Sequence, residues 1–260
     1  MKEVLNSTFS YTFKYPVWQT VIGFPTNILG IEVRGEGFDE VSYYLFDTDL
    51  NELSPLTLNL DDPWWSRLAA ISNGNIVLQE YSGEGNPEVK RVEIFNSGKK
   101  VAENNEVQFD YIDLTNGSLV FNSRNDDKNQ FIFDHHENKF IPGDDDYNQK
   151  QAEGLIFPVQ YPEGTEYFND INEFLSLKSI KPCVGAVEYL ETERFILISG
   201  YERIDKFFKH KLYIFDEEGS LLKEILLEKA GKGLSKDPYF IFNGKLFVIE
   251  DKNTISIYAV

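Results

Sequence analysis

Five segments share an aliphatic-aromatic pair, usually followed by a polar turn residue: Leu45-Phe46-Asp47, Ile94-Phe95-Asn96, Ile132-Phe133-Asp134, Ile214-Phe215-Asp216 and Ile257-Tyr258-Ala259. The aromatic positions are separated by 49, 38, 82 and 43 residues. A turn followed by an apolar run recurs upstream, at Asn73-Gly74 before Ile76, Asn116-Gly117 before Leu119, and Asn243-Gly244 before Leu246. Thr192 to Leu197 is a weaker copy. Asn-Gly supplies the positive backbone angles that tight hairpins need, and Asn96-Ser97-Gly98 and Asp216 to Gly219 mark a later turn in the same unit. Each unit therefore reads as strand, turn, strand, loop, strand, turn, strand. A four-stranded antiparallel unit recurring every ~40–45 residues is the signature of a propeller blade. The expected fold is all-β: a single β-propeller domain spanning residues 1–260, of five blades with four antiparallel strands each. Six blades are the alternative. A jelly roll or sandwich remains possible, but neither predicts a repeat.

The chain ends support closure into a ring. The last unit stops at Val260 after its third strand, while Ser7 to Tyr15 alternates aromatic with small or polar residues and has no preceding strand to pair with. Pairing the two completes the last blade and removes an exposed edge. The long gap between Phe133 and Phe215 fits an insertion at about residues 143–178. Within it Tyr167, Phe168, Ile171, Phe174 and Leu175 fall at helical spacing, with Thr165 placed to cap a short helix.

With 43 acidic and 25 basic side chains the formal net charge is −18. That balance disfavours phosphate backbones and anionic membranes, so neither a nucleic acid nor a membrane partner is expected. The short basic stretch Lys229, Lys232 and Lys236 lacks interleaved aromatics and reads as a solvated loop. Cys183 is the only cysteine, which excludes an intramolecular disulfide and reads as a small buried hydrophobe. No stretch has the length and apolar character of a membrane span or secretory h-region. The expectation is a cytoplasmic monomer.

Motifs for chemistry are sparse. His135 and His136 are adjacent, so on a strand they point to opposite faces, and they follow Asp134 where a turn is expected. His210 precedes a repeat strand. Asp47-Thr48-Asp49-Leu50-Asn51 imitates a calcium loop, but Glu52 stands where Gly is needed and Leu58 where the bidentate Glu is needed. Asp144, Asp145 and Asp146 are consecutive carboxylates without a defined turn. No phosphate loop or nucleophile elbow occurs. No catalytic residue, metal site or cofactor is expected. Among the tryptophans, Trp18 and Trp65 recur after a proline and are expected to pack, leaving Trp64 toward the surface. The ligand-binding candidates are Tyr161, Glu163, Glu166 and Tyr167 in the insertion, together with Trp64.

The arrangement Pro63-Trp64-Trp65, Leu78-Gln79-Glu80-Tyr81, Tyr161 to Phe168 and Val187-Glu188-Tyr189-Leu190 resembles a family of uncharacterised bacterial proteins of similar length. That resemblance implies a bacterial single-domain protein and carries no activity. The chain is also similar, more broadly, to propellers of the WD-repeat type, although it lacks their Gly-His and Trp-Asp dipeptides. The expected function is a non-enzymatic binding module for a protein or small ligand. The alternative is a glycan-active hydrolase with paired carboxylates in a central pocket.

Overall fold

The computed structural model describes residues 5–24, 27–37, 40–83, 85, 87–113, 116–126, 129–143, 154–231 and 238–260. Lys232, Lys236 and the Asp144, Asp145, Asp146 run lie outside the described residues.

The chain opens with β1 (Ser7–Thr12) and a first meander of β2 (Val17–Phe24), β3 (Ile28–Arg34), β4 (Val41–Asp47) and β5 (Glu52–Leu56). A second comprises β6 (Ser66–Ser72), β7 (Asn75–Tyr81), β8 (Val89–Asn96) and β9 (Lys99–Asn104). A third holds β10 (Val107–Asp113), β11 (Ser118–Ser123), β12 (Gln130–Asp134) and β13 (Lys139–Pro142). After β14 (Leu155–Ile156), β15 (Val159–Pro162) and α1 (Glu166–Leu177) comes a fourth, β16 (Val184–Glu191), β17 (Phe195–Ile204), β18 (Phe207–Asp216) and β19 (Leu221–Gly231). The chain ends with β20 (Tyr239–Phe242), β21 (Lys245–Glu250) and β22 (Thr254–Ala259).

The protein is thus all-β, with one helix among the described residues. Each of the five recurring aliphatic-aromatic pairs lies on the third strand of a meander. Phe46 pairs with Leu29, Phe95 with Ile76, Phe215 with Ile196 and Tyr258 with Leu246, each opposite the start of its second strand. The hairpins depend on the Asn-Gly steps: Asn73 and Gly74 have φ of 50° and 76°, and Asn243 and Gly244 have 49° and 68°. Two successive positive φ values make the tight turn whose twist matches the flanking strands.

The chain divides into two compact units, Tyr15–Ala152 and Met1–Lys14 with Glu153–Val260. In the first, a short parallel contact, Gly23 beside Ile71 and Phe24 beside Ser72, joins the first two meanders along their first strands. The second meander is covered on both faces. Ile76 and Leu78 of β7 pack with Tyr43, Leu68 and Phe95. Val77, one step out of phase, packs on the other face with Val107, Leu119, Phe121 and Phe133 of the third meander. Burial on both faces explains the continuous apolar run of this strand.

In the other unit, β1 pairs antiparallel with β22, Phe9 opposite Ile257 and Tyr11 opposite Ile255. It thereby becomes an outer strand of a five-stranded sheet in the order β1-β22-β21-β20-β14. Hydroxyls add to the backbone ladder, with Ser10 Oγ 3.2 Å from Ser256 Oγ and Thr12 Oγ1 2.9 Å from Thr254 Oγ1. The strand is less buried than its alternation suggests. Most of its residues are exposed, Tyr11 among them, while Phe13 beyond its end is buried. An outer strand is held by backbone pairing, so its side chains need no core.

Leu197, Leu212 and Ile225 of the fourth meander pack against Tyr239, Ile241, Leu246 and Val248 of the last one. The opposite face, at Val187, Ile198, Tyr213 and Phe215, receives Phe168, Ile171 and Leu175 of α1. Each such helix side chain contributes about 1.5–3 kcal/mol through burial. Thr165 caps α1, its Oγ1 accepting from the Phe168 N–H at 3.3 Å. The helix therefore covers a sheet face in the way a neighbouring sheet would. The segment around it is not wholly irregular: β14 pairs with β20 and β15 with β16.

Candidate functional site

The first unit carries a charged network that ends at an exposed tryptophan. Between β2 and β3 the register slips from Val17 opposite Val33 to Gln19 opposite Glu32, which makes Trp18 the extra residue of a β-bulge. Bulges re-aim side chains, and Trp18 is 63% exposed. The expectation that Trp18 packs is thereby corrected. It lies within β2, whereas Trp65 lies in the turn before β6, so the two do not occupy matching places. Proline spacing alone could not show the inserted residue.

Arg34 lies under Trp18, its guanidinium carbon 5.3 Å from that ring and 5.5 Å from the ring of Trp64. Its nitrogens donate to Glu32 Oε1, to the Trp64 carbonyl and, at 2.9 Å, to the Ser66 carbonyl. Glu32 is fully buried. Its other oxygen accepts from Gln19 Nε2 at 2.9 Å and from the Leu68 N–H at 2.8 Å. Tyr43 Oη donates to the Ser66 carbonyl at 2.7 Å, and burial with the nearby Glu32 charge drives that phenol well above its ordinary range. The network ties the first meander to the second and holds the arginine fixed. With its hydrogen bonds committed to these acceptors, Arg34 acts as a platform for the two indoles. Trp64 itself is half-buried.

The insertion candidates separate into two roles. Tyr161 on β15 and Tyr167 on α1 bring their rings to 5.0 Å, tilted by 33°, and Tyr167 is 63% exposed. Glu163 instead holds the chain: its Oε2 accepts from the Gly185 N–H at 2.7 Å while its own N–H donates to the Gly185 carbonyl. Glu166 lies exposed in the first helical turn. Tyr189, which the sequence reading did not single out, donates to Glu191 Oε2 at 2.6 Å. Burial and the charge of Glu191 raise its pKa.

A second polar group sits in the core of the other unit. Glu188, Ser199 and His210 lie on three neighbouring strands, and Ser199 Oγ donates to Glu188 Oε2 at 2.5 Å. With that hydroxyl hydrogen committed, His210 Nε2, 2.9 Å away, is the donor to Ser199 Oγ, and Nδ1 is the bare nitrogen. His210 stacks on Tyr201 at 3.9 Å, is completely buried, and has its pKa pushed down to about 3 by burial. The carboxylate lies against the serine and not against Nδ1, and the serine is sealed from solvent. This arrangement does not build an activated nucleophile. It ties strands together.

Burial likewise pushes the Cys183 thiol up to about 11, which suits the small hydrophobe expected. At neutral pH the Cys183 thiol therefore keeps its proton and His210 stays uncharged. His135 does more than decorate a turn: its Nδ1 lies 2.9 Å from the Asn75 amide, joining the third meander to the second.

Glu80 and Glu93, also buried in the first unit, are tied to cations. Arg91 contacts Glu80 and lies 3.5 Å from Glu93, and Lys100 reaches Glu93 at 3.0 Å. Among the described residues no group of three or more His, Cys, Asp or Glu side chains is placed to hold a metal ion. No helix of the described residues is long and apolar enough to cross a membrane.

No protein-family model matches the sequence, and no curated protein matches it. Several solved structures align with it weakly. A Bacteroides vulgatus member of the DUF4221 family aligns over 99% of this chain and 98% of its own, at 8% identity and a TM-score of 0.36. A Bacteroides uniformis protein described as a candidate 6-phosphogluconolactonase aligns over 92% and 80%, at 12% identity and a TM-score of 0.34. A Bacteroides ovatus glycosyl hydrolase aligns over 99% and 90%, at 9% identity and a TM-score of 0.29. Likeness at this level says nothing about activity.

Proposed function

We propose that the protein is a non-enzymatic binding module: five blades form one propeller, closed by β1, and a ligand is taken on the face marked by Trp18. The observation that supports this reading is the fully buried Glu32, which holds Arg34 beneath a tryptophan left in solvent. A buried ion pair is seldom a net gain in stability over an apolar pair. An exposed indole adds nothing to the core. Both make sense where a rigid flat surface must be presented to a ligand, because a preorganised aromatic loses little entropy on contact.

The ligand on this reading has a flat, uncharged face, such as a sugar ring or a planar side chain. Arg34 already occupies one side of the Trp18 ring, and a second cation on the other side would meet its repulsion. Tyr161 and Tyr167 form a separate aromatic surface on the other unit, which would serve a second contact of the same kind.

Fluorescence and NMR titration against panels of neutral oligosaccharides and aromatic peptides tests the assignment. Saturable binding that disappears in Trp18→Ala, with folding intact, is the expected result. A ligand bound equally well by the Trp18→Ala protein, or turnover of any substrate abolished by one carboxylate substitution, would end this reading.

A further inference from the structure

The β17–β18 hairpin is longer than its core requires. These strands pair over ten residue pairs, from Phe195 opposite Asp216 to Ile204 opposite Phe207. The corresponding hairpins β3–β4 and β7–β8 have seven pairs each, and β21–β22 has six. The buried part ends at Tyr201 and His210. The last three pairs, Glu202 with Lys209, Arg203 with Phe208 and Ile204 with Phe207, add no buried residue.

The charge of this extension opposes that of the chain. Glu202 to Lys211 contains four Lys or Arg residues and two carboxylates, in a protein of net charge −18. Arg203 lies over the Phe208 ring at 5.5 Å and Lys206 over Phe207 at 5.5 Å, so the cations are braced by aromatic faces. Lys181 adds another cation, 2.5 Å from Glu202. The Glu202 carboxyl registers the local field: Lys181 first, then Lys211 and Lys209, hold it below the ordinary carboxylate range. Of these cations, Lys181 is matched by Glu202 itself and Lys211 by Glu224 at 2.6 Å, which leaves Arg203, Lys206 and Lys209 as the cations of the extension.

We propose that this hairpin end docks a short acidic segment of a partner protein through Arg203, Lys206 and Lys209, with Ile204 and Phe207 as its apolar contact. Charge complementarity selects an anion, and the reach of the field selects a short one. A nucleic acid strand or an anionic bilayer extends well beyond the ~8 Å Debye length and meets the repulsion of the rest of this acidic molecule. An acidic peptide of a few residues contacts the hairpin alone. Base stacking is disfavoured further, because the cations already lie over the aromatic faces it would use.

The test is titration of a fluorescently labelled decaglutamate peptide with the full chain at low and at high salt. Binding should weaken at least about tenfold between 50 and 300 mM salt. It should be lost in R203E/K206E/K209E and reduced in the single exposed-tip variant K206E, with circular dichroism and Tm unchanged in the latter. Trp18→Ala should bind decaglutamate like the unaltered protein, which separates this proposal from the ligand reading above. The idea is overturned if decaglutamate fails to bind at low salt, if K206E binds it as tightly, or if single-stranded DNA or phosphatidylserine vesicles bind more tightly than the peptide.

Discussion

Replacing His210 should remove a specific acid sensitivity. The side chain is fully buried and stacked on Tyr201, and its pKa of about 3 lies far below the ordinary histidine value of about 6.5. The native state therefore holds His210 neutral where the unfolded chain takes up a proton. Stability from this group is complete above pH ~6.5 and falls as the pH drops toward the folded value. Between pH 7 and pH 5 the loss is about 2 kcal/mol, at about 1.4 kcal/mol per pH unit below the unfolded pKa. Urea unfolding of the unaltered protein and of His210→Gln at both pH values measures it. The variant should be less stable at pH 7, since a smaller side chain leaves the Tyr201 stack, yet should lack that 2 kcal/mol of pH dependence. Equal pH dependence in the two proteins would refute the reasoning. So would a stabilisation of the unaltered protein on acidification, because it would mean that Glu188, 3.8 Å from Nε2, outweighs burial.

Other substitutions test the remaining links. Glu32→Gln removes one partner of a buried ion pair and should cost about 3–5 kcal/mol in chemical denaturation, whereas Trp18→Ala, at an exposed position, should cost under about 1 kcal/mol. Thr165→Ala should cost about 1 kcal/mol by removing the α1 cap, seen as a lower Tm with unchanged sheet signal. Cys183 should resist thiol reagents in the native protein and react fully in denaturant, because burial raises its pKa to about 11. Deletion of residues 1–14 should leave the β22 edge open and produce concentration-dependent aggregation in light scattering.

Much of the strand order was legible because its causes are local. Asn73-Gly74 and Asn243-Gly244 adopt positive φ through their own chemistry, and the five recurring aliphatic-aromatic pairs mark third strands. Thr165 and the apolar positions of α1 likewise announced a capped helix. Trp18 and Trp64 were harder to place. An extra residue in β2 reverses which side a strand residue faces, and nothing in the composition of Pro16-Val17-Trp18 records it. Arg34 gave no signal either, since its role depends on Glu32 beneath it and on Trp64 from the loop before β6. Among the insertion candidates, the proximity of Tyr161 and Tyr167 emerged only with the geometry of β15 against α1, as did the structural duty of Glu163.

The amino-acid order alone pointed to an all-β protein of short strands joined by Asn-Gly hairpins. Those properties come from steric preferences and alternation within a few residues. Only the tertiary structure decided which buried charges pair, which tryptophan meets solvent, and that one hairpin outruns its core. Each of these depends on groups brought together from distant positions, where burial and Coulomb energies act between strands and leave no local trace.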